Sequence, residues 1–386
     1  MSVKDKLGRA MGARANPPDI KRVAWEGLGF TRRTNPAGEF LVREVRGEEE
    51  ICFHELPAWV WGLVGKDHSL EQFDAEAVCF LDLETTGLNL GAGGFAFTIG
   101  VGYLDSAGPV IRQYFLRDHR DERAALYDLA QFLEQFQGLG SYNGKSFDWP
   151  LLCDRFHFHR LSFPSLDRAH LDLLHAARRL WKGVLTGFSL KEVELHILNK
   201  ARVDDIPGYM IPAAYVNFLR TGEVRDIHRI LKHNQLDVTN LMVLARRMGE
   251  VFLGIEWCEF RQEVVNAADI FAWQGDFTRA IDYLETVLGG TDECDQRVLC
   301  SLARLHKRVG DYTRAVGLWQ EAVIRDSSAH EPWIELAKHF EHREKDMEAA
   351  LRCTLRAVET NQGRVDPRLQ KRLNRIKWKL TRESSR

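Results

Sequence analysis

An α/β domain built on a mixed sheet, followed by an all-α domain of helical repeats, is the fold the sequence predicts. Two patterns carry this expectation. Between about residues 73 and 247, short apolar runs alternate with segments of helical period. Between about residues 266 and 360, Asp276, Asp311 and Asp346 recur 35 residues apart, as do Ala280, Ala315 and Ala350. A length of 386 residues fits two or three domains rather than one. The expected division is a lead-in over 1–72, the α/β domain over 73–247, a linker helix over 248–265, the repeats over 266–360 and a basic tail over 361–386.

The lead-in holds weak strand patterns and a turn signal at Asn35-Pro36-Ala37-Gly38. The α/β domain opens with Ala77-Val78-Cys79-Phe80-Leu81-Asp82-Leu83-Glu84, an apolar run that turns alternating at its end, as a central strand does. Thr85-Thr86-Gly87 breaks it. Phe95 to Leu104 and Val110 to Leu116 read as two more strands joined by a turn at residues 105–109. Over Glu122 to Gln137, Leu126, Leu129, Ala130, Leu133 and Phe136 fall at helical spacing. A short strand over Gly138 to Asn143 then leads into a helix that begins near Phe147. A further helix runs from about Glu223, with Thr221 as its cap. Three strands, a helix, a strand and a helix require a sheet of mixed direction.

In the repeats, Gly275-Asp276-Phe277-Thr278-Arg279-Ala280 and Gly310-Asp311-Tyr312-Thr313-Arg314-Ala315 are nearly copies, with Ala268 and Ala303 preceding them at the same offset. Small alanines let paired helices approach closely. This pattern resembles the tetratricopeptide repeat, with Lys345 replacing the glycine in a degraded third copy. Leu369, Leu373, Ile376 and Leu380 give the tail a helical period, and Arg364 to Arg386 carries nine Lys or Arg against two Asp or Glu.

With 45% hydrophobic and 28% charged residues, whole-chain disorder is excluded. The net charge of -2 leaves polyanion binding to local patches. Seven cysteines without a C-x-x-C point to reduced thiols in a cytoplasmic protein rather than to a disulfide framework or structural zinc. The N-terminus lacks an apolar core of signal-peptide length, and the stretch from Ala58 to Gly65 is too short to span a bilayer.

Three acidic motifs carry the chemistry. Asp82 and Glu84, two apart on a strand, project to the same face. Adjacent carboxylates repel, and a divalent cation with a preference for oxygen ligands offsets that repulsion. Asn143-Gly144-Lys145-Ser146-Phe147-Asp148 sits where a strand passes to a helix, with Gly144 permitting a tight turn and Asp148 in the first helical turn. His233-Asn234-Gln235-Leu236-Asp237 places an imidazole and a carboxylate one helical turn apart, and histidine exchanges protons near neutrality. Phe147 reads as core rather than as a platform for bases. Asp172 reads as structural, and Asp204 and Asp205 as shaping a turn.

The order D-x-E, N-G-x-x-F-D, H-N-x-x-D resembles the DEDD superfamily of 3′-to-5′ exonucleases with a ribonuclease H-like fold, and more closely the YprB family of ribonuclease H-like proteins. Leu171-Asp172-Leu173-Leu174-His175, Arg178-Arg179-Leu180-Trp181, Asp204-Asp205-Ile206-Pro207-Gly208, Ile211-Pro212 and Tyr215 extend the likeness over about 170 residues. One departure stands out. The wider superfamily has tyrosine four residues before the last aspartate or histidine five before it. Here His233 takes the tyrosine spacing and Lys232 the position five before.

The resemblance implies a hydrolase of phosphodiester bonds in single-stranded DNA or RNA, acting from the 3′ end. Asp82, Glu84, Asp148 and Asp237 would hold two Mg²⁺ or Mn²⁺ ions about 3.5–4 Å apart, with His233 handling the proton of the attacking water. Thr85 and Asn143 would contact nucleic acid beside the ligands. Arg178, Arg179 and Lys182, with His170 and His175 nearby, and the stretch from Arg155 to Arg160 mix cations with aromatics, as single-strand grips do. The basic tail would add a nonspecific phosphate contact, and the repeats would recruit a protein partner. The alternatives are a non-catalytic nucleic-acid-binding adapter with a degenerate nuclease fold, and a structure-specific endonuclease.

Overall fold

The computed structural model describes residues 23–87, 94–163, 166–289, 296–360 and 366–383. The first 22 residues of the lead-in and both ends of the basic tail lie outside the described residues. The chain forms two units, one ending at Trp257 and one beginning at Cys258.

The first unit is built on one seven-stranded sheet: β1 (Thr31–Asn35), β2 (Gly38–Arg46), β3 (Val78–Thr85), β4 (Ala96–Asp105), β5 (Gly108–Phe115), β6 (Gly138–Ser141) and β7 (His170–Asp172). The order across it is β1-β2-β5-β4-β3-β6-β7. From β1 to β3 every neighbour is antiparallel, and β6 and β7 join parallel to β3. The expected mixed sheet is therefore present. The turn at Asn35 to Gly38 closes β1 on β2, and these lead-in strands lengthen the sheet beyond β5.

Seven helices surround this sheet among the described residues: α1 (Trp59–Gly65), α2 (Glu122–Leu133), α3 (Asp148–Phe158), α4 (Leu173–Leu180), α5 (Leu190–Ile197), α6 (Ile211–Thr221) and α7 (Arg225–Glu250). Thr221 ends α6 rather than capping α7. Gly222 turns the chain with φ 75°, and the Thr221 hydroxyl accepts from Glu223 N–H at 3.1 Å. Phe97, Phe115, Phe218 and Tyr215 are buried between sheet and helices, with Tyr215 stacked on Phe97 at 3.9 Å.

Glycines on β4 set how closely α7 lies on the sheet. A Cβ at Gly100 would sit 2.3 Å from Asn234 Oδ1, and one at Gly102 would sit 2.5 Å from Val238. Neither glycine adopts positive φ. Lack of bulk, rather than backbone freedom, is what these positions require.

In the second unit, helix pairs follow the 35-residue period: α8 (Arg261–Gln274) with α9 (Phe277–Gly289), α10 (Gln296–Val309) with α11 (Tyr312–Arg325), and α12 (His330–His339) with α13 (Met347–Thr360). A last helix, α14 (Pro367–Glu383), follows. The 248–265 segment is not one helix. It comprises the end of α7, a 3₁₀ turn at Ile255–Trp257 and the start of α8.

Each repeat feature has a physical role. Ala280, Ala315 and Ala350 are fully buried. The Asp276, Asp311 and Asp346 side chains accept from backbone N–H groups of Arg279, Arg314 and Ala349, capping the second helix of each pair. Gly275 and Gly310 end the first helices with φ of 93° and 92°. Lys345 adopts the same left-handed turn, φ 60°, after a π-turn at Phe340–Glu344. A side chain there costs roughly 1–2 kcal/mol. Lys345→Gly should therefore raise the stability of the second unit by about 1 kcal/mol, offset in part by the entropy of an unfolded glycine. An unchanged denaturant midpoint would contradict this.

No helix among the described residues is long and apolar enough to cross a membrane.

Candidate active site

β3 delivers two of the carboxylates. Asp82 and Glu84 stand two apart, opposite Gly100 and Thr98 of β4, and the register shifts between Glu84 and Thr85. This irregularity ends the strand at the site. The Thr85 hydroxyl donates to Gly87 O at 3.2 Å.

Asp82 is held by a row of polar side chains crossing four strands. Arg43, Gln113, Gly100 and Asp82 are register partners on β2, β5, β4 and β3. The space left by Gly100 is filled by Asn234 from α7. Arg43 Nε and Nη2 donate to Gln113 Oε1 at 2.8 and 2.6 Å. Gln113 Nε2 donates to Asn234 Oδ1 at 2.6 Å and to Leu231 O at 3.0 Å. Asn234 Nδ2 donates to Asp82 Oδ2 at 2.8 Å. Every donor in the relay points towards the carboxylate, and the arginine at its far end fixes both amide orientations.

Asp148 opens α3. The loop before it places Asn143 at φ 62°, while Gly144 is needed for space: a Cβ there would lie 2.4 Å from Ser141 Oγ and 3.2 Å from Asp148 Oδ2. The tight turn expected of Gly144 is made by Asn143, a residue that tolerates the left-handed region. Asp172 clamps this loop, accepting from Asn143 N–H at 2.9 Å, Lys145 N–H at 3.2 Å and, as the cap of α4, Leu174 N–H at 3.1 Å. It is a structural carboxylate. Phe147, expected in the core, is 39% exposed beside Asp148, because α3 starts one residue later and turns its ring outwards.

α7 supplies His233, Asn234 and Asp237. Lys232 is exposed on the opposite side. His233 Nε2 lies 3.8 Å from Glu84 Oε1 and 3.6 Å from Asp237 Oδ2. Its Nδ1 lies 2.6 Å from Asp205 Oδ1. Asp205 is thus the partner of the imidazole rather than a turn former. Lys191 at 2.8 Å and Arg202 at 3.4 Å also face it. Burial would raise the Asp205 pKa, but Lys191, His233 and Arg202 hold it below its ordinary value. Arg202 also pairs with buried Glu194, and its Nη2 lies 2.5 Å from Asp237 Oδ1.

The four expected carboxylates share one electrostatic environment. Burial, then Asp237 and Asp148, raise Asp82 well above the carboxylate range. Burial, then Asp82, Asp237 and Asp148, do the same to Glu84. Burial raises Asp148 to about 7, with Asp172 and Asp237 adding to it. Burial also raises Asp237, against the pull of His233 and Arg202. This oxygen donor set, crowded with like charge, suits a hard divalent cation. The carboxylates are not drawn tightly together. Among the described residues, a trio of donors all within 4.8 Å of one another occurs at Cys52, His54 and Glu76, outside this site.

The cationic stretches behave differently from expectation. Arg178 is exposed at the end of α4, as is Lys182 just beyond it. Arg179 is turned inwards and donates to Val64 O of α1. His170 is buried against Ser141 Oγ at 2.6 Å, and burial lowers its pKa to about 3, so it carries no charge near neutrality. Arg155 is committed to buried Glu122, at 2.5 Å through Nε and Nη2, with His159 on the same carboxylate. Neither stretch presents the continuous basic strip its composition suggests.

Sequence reasoning missed Asn234, Gln113, Arg43, Arg202 and the role of Asp205. Asn234 had a local signal, lying inside H-N-x-x-D. The others reach the site only through sheet register or loop closure.

A sequence model of the RNase H superfamily matches residues 79–249. Over 340 residues the chain is 31% identical to "Uncharacterized protein YprB" of Bacillus subtilis (strain 168), covering 85% of this chain and 82% of that relative. Asp82, Glu84, Asp148 and Asp237 all fall inside the matched stretch. The chain therefore belongs to the YprB family, whose members it joins through a ribonuclease H superfamily domain followed by a helical region.

Proposed function

We propose that this protein is a metal-dependent nuclease that removes nucleotides from the 3′ end of single-stranded DNA or RNA. One observation carries the reading. Burial raises the pKa of four carboxylates from three distant segments near the end of β3, and acidic neighbours within the set raise Asp82, Glu84 and Asp148 further. A charge deficit of that kind is costly unless a cation offsets it.

Asp82, Glu84, Asp148 and Asp237 would hold Mg²⁺ or Mn²⁺. When bound, such ions lower the pKa of a coordinated water and stabilise charge on the leaving oxygen. The chain's own residues do the rest. Asp205 accepts the Nδ1 proton of His233, leaving Nε2 as an acceptor towards the cleft, where it takes the proton of the attacking water. The relay from Arg43 fixes Asp82. Exposed Phe147 offers a ring face to a terminal base, Thr85 and Asn143 flank the ligands, and Arg178 and Lys182 meet phosphates further along the strand.

The test is cleavage of a linear single strand labelled at its 5′ end. Stepwise shortening from the 3′ end is expected with Mg²⁺ or Mn²⁺, and none with chelator. A circular single strand should resist. Cutting of the circle would replace the exonuclease with an endonuclease. The adapter reading draws on the Arg202–Asp237 ion pair, which places a cation of the chain's own at the site. No cleavage, together with no divalent binding by calorimetry, would favour it.

A further inference from the structure

The strongest feature outside the cleft is α14. It carries seven Lys or Arg and one acid, Glu383. Three of the cations are spoken for. Arg372, Arg375 and Lys379 converge on the carboxylate of Glu341, which is fully buried in the π-turn. Leu369, Leu373 and Ile376 are buried on the adjacent face, with Ile376 against Met347 and Ala350 of α13. These contacts fix the rotation of α14 about its axis.

The face opposite the buried apolar stripe is consequently fixed as well. Arg368 and Lys371 lie there, are exposed and make no ion pair among the described residues. Trp378 is 57% exposed, with the Arg382 guanidinium 4.6 Å above its ring. From Arg368 to Arg382 the strip runs about 21 Å along the helix. A solvated charged face has no use for an exposed indole, and the packed apolar stripe leaves little to insert into a bilayer. Uncompensated cations flanking an aromatic ring match the two demands of a single strand, phosphates to neutralise and unpaired bases to stack.

We propose that the outward face of α14 is a binding site for single-stranded nucleic acid, with Trp378 as the stacking platform and Arg368, Lys371 and Arg382 as phosphate contacts. This deepens the nuclease reading by giving the same substrate class a second contact. The two fail separately. Cleavage without α14-dependent binding sinks this proposal alone. Binding through α14 without cleavage sinks the other alone.

The experiment measures binding of a fluorescein-labelled oligothymidylate to the full chain in chelator, by anisotropy across a salt series. Trp378→Ala should raise Kd by about fivefold or more, the lower end of one stacked base. Arg368→Glu combined with Lys371→Glu should reduce the magnitude of the log Kd against log salt slope by roughly 1.4, two phosphate contacts on a single strand. Both sites are exposed, so the melting temperature should be unchanged, which separates lost binding from lost folding. Unchanged Kd and slope in both variants would overturn the proposal. So would variants that lose affinity for vesicles containing phosphatidylserine or for an acidic peptide while binding oligothymidylate as before.

Discussion

Asp82→Asn is expected to abolish metal-dependent cleavage and, in chelator, to make the protein more stable. The two effects share one cause. Burial, then the charges of Asp237 and Asp148, push the Asp82 carboxyl well above its ordinary range. Removing its charge removes a metal ligand and also relieves repulsion. The amide keeps an oxygen that can accept from Asn234, so the relay survives. A structural carboxylate would behave in the opposite way, because its loss would lower the melting temperature.

The pH dependence has a definite sign. A carboxylate whose folded pKa is raised contributes stability below its unfolded pKa, near 4, and loses it as pH rises through the folded value. For Asp148 that value is about 7. The window runs from about pH 4 to 7, and the full shift corresponds to at most roughly 4 kcal/mol. In chelator, the melting temperature of the wild type relative to Asp148→Asn should fall across this window. With saturating Mg²⁺ the difference should shrink or reverse, since a ligand that binds the folded state adds stability to the wild type. A pH-independent difference, or equal metal-induced shifts in wild type, Asp82→Asn and Asp148→Asn, would rule out a shared cation site.

What the sequence discloses follows from how local each feature is. The carboxylates were legible because D-x-E on a strand and H-N-x-x-D on a helix fix their own geometry at short range. The repeat was legible because alanine, glycine and aspartate do the same job in each copy. Even Lys345 keeps the left-handed turn of the glycines it replaces. The relay was not legible. Arg43 and Gln113 lie 39 and 31 positions from Asp82, and only the register of four strands sets them in one row. The basic stretches misled for a related reason. Composition does not reveal that Arg155 is spent on Glu122 or that Arg179 faces Val64. A cation counts towards a polyanion site only after its internal partners are known.

Asp205→Asn should lower kcat by roughly 10²- to 10⁴-fold, the range of a lost general base, while leaving KM and the fold nearly unchanged. An ionised carboxylate only accepts, so the 2.6 Å contact with Asp205 Oδ1 requires the proton on His233 Nδ1. In the neutral imidazole Nε2 is then the acceptor. The second oxygen of Asp205 is held by Lys191 at 2.8 Å and approached by Arg202 at 3.4 Å. In the asparagine variant those cations retain the oxygen and leave the NH₂ group facing His233. Nδ1 must then accept, and the proton moves to Nε2, where it blocks the attacking water. The imidazole stays in place but in the wrong tautomer. His233→Ala should cost about as much, and the double variant should be no slower than His233→Ala alone, because the two side chains act as one unit. Multiplicative losses would show that Asp205 works independently of His233. Full activity in Asp205→Asn would show that His233 is not the base, and the proton would then have to leave by another route.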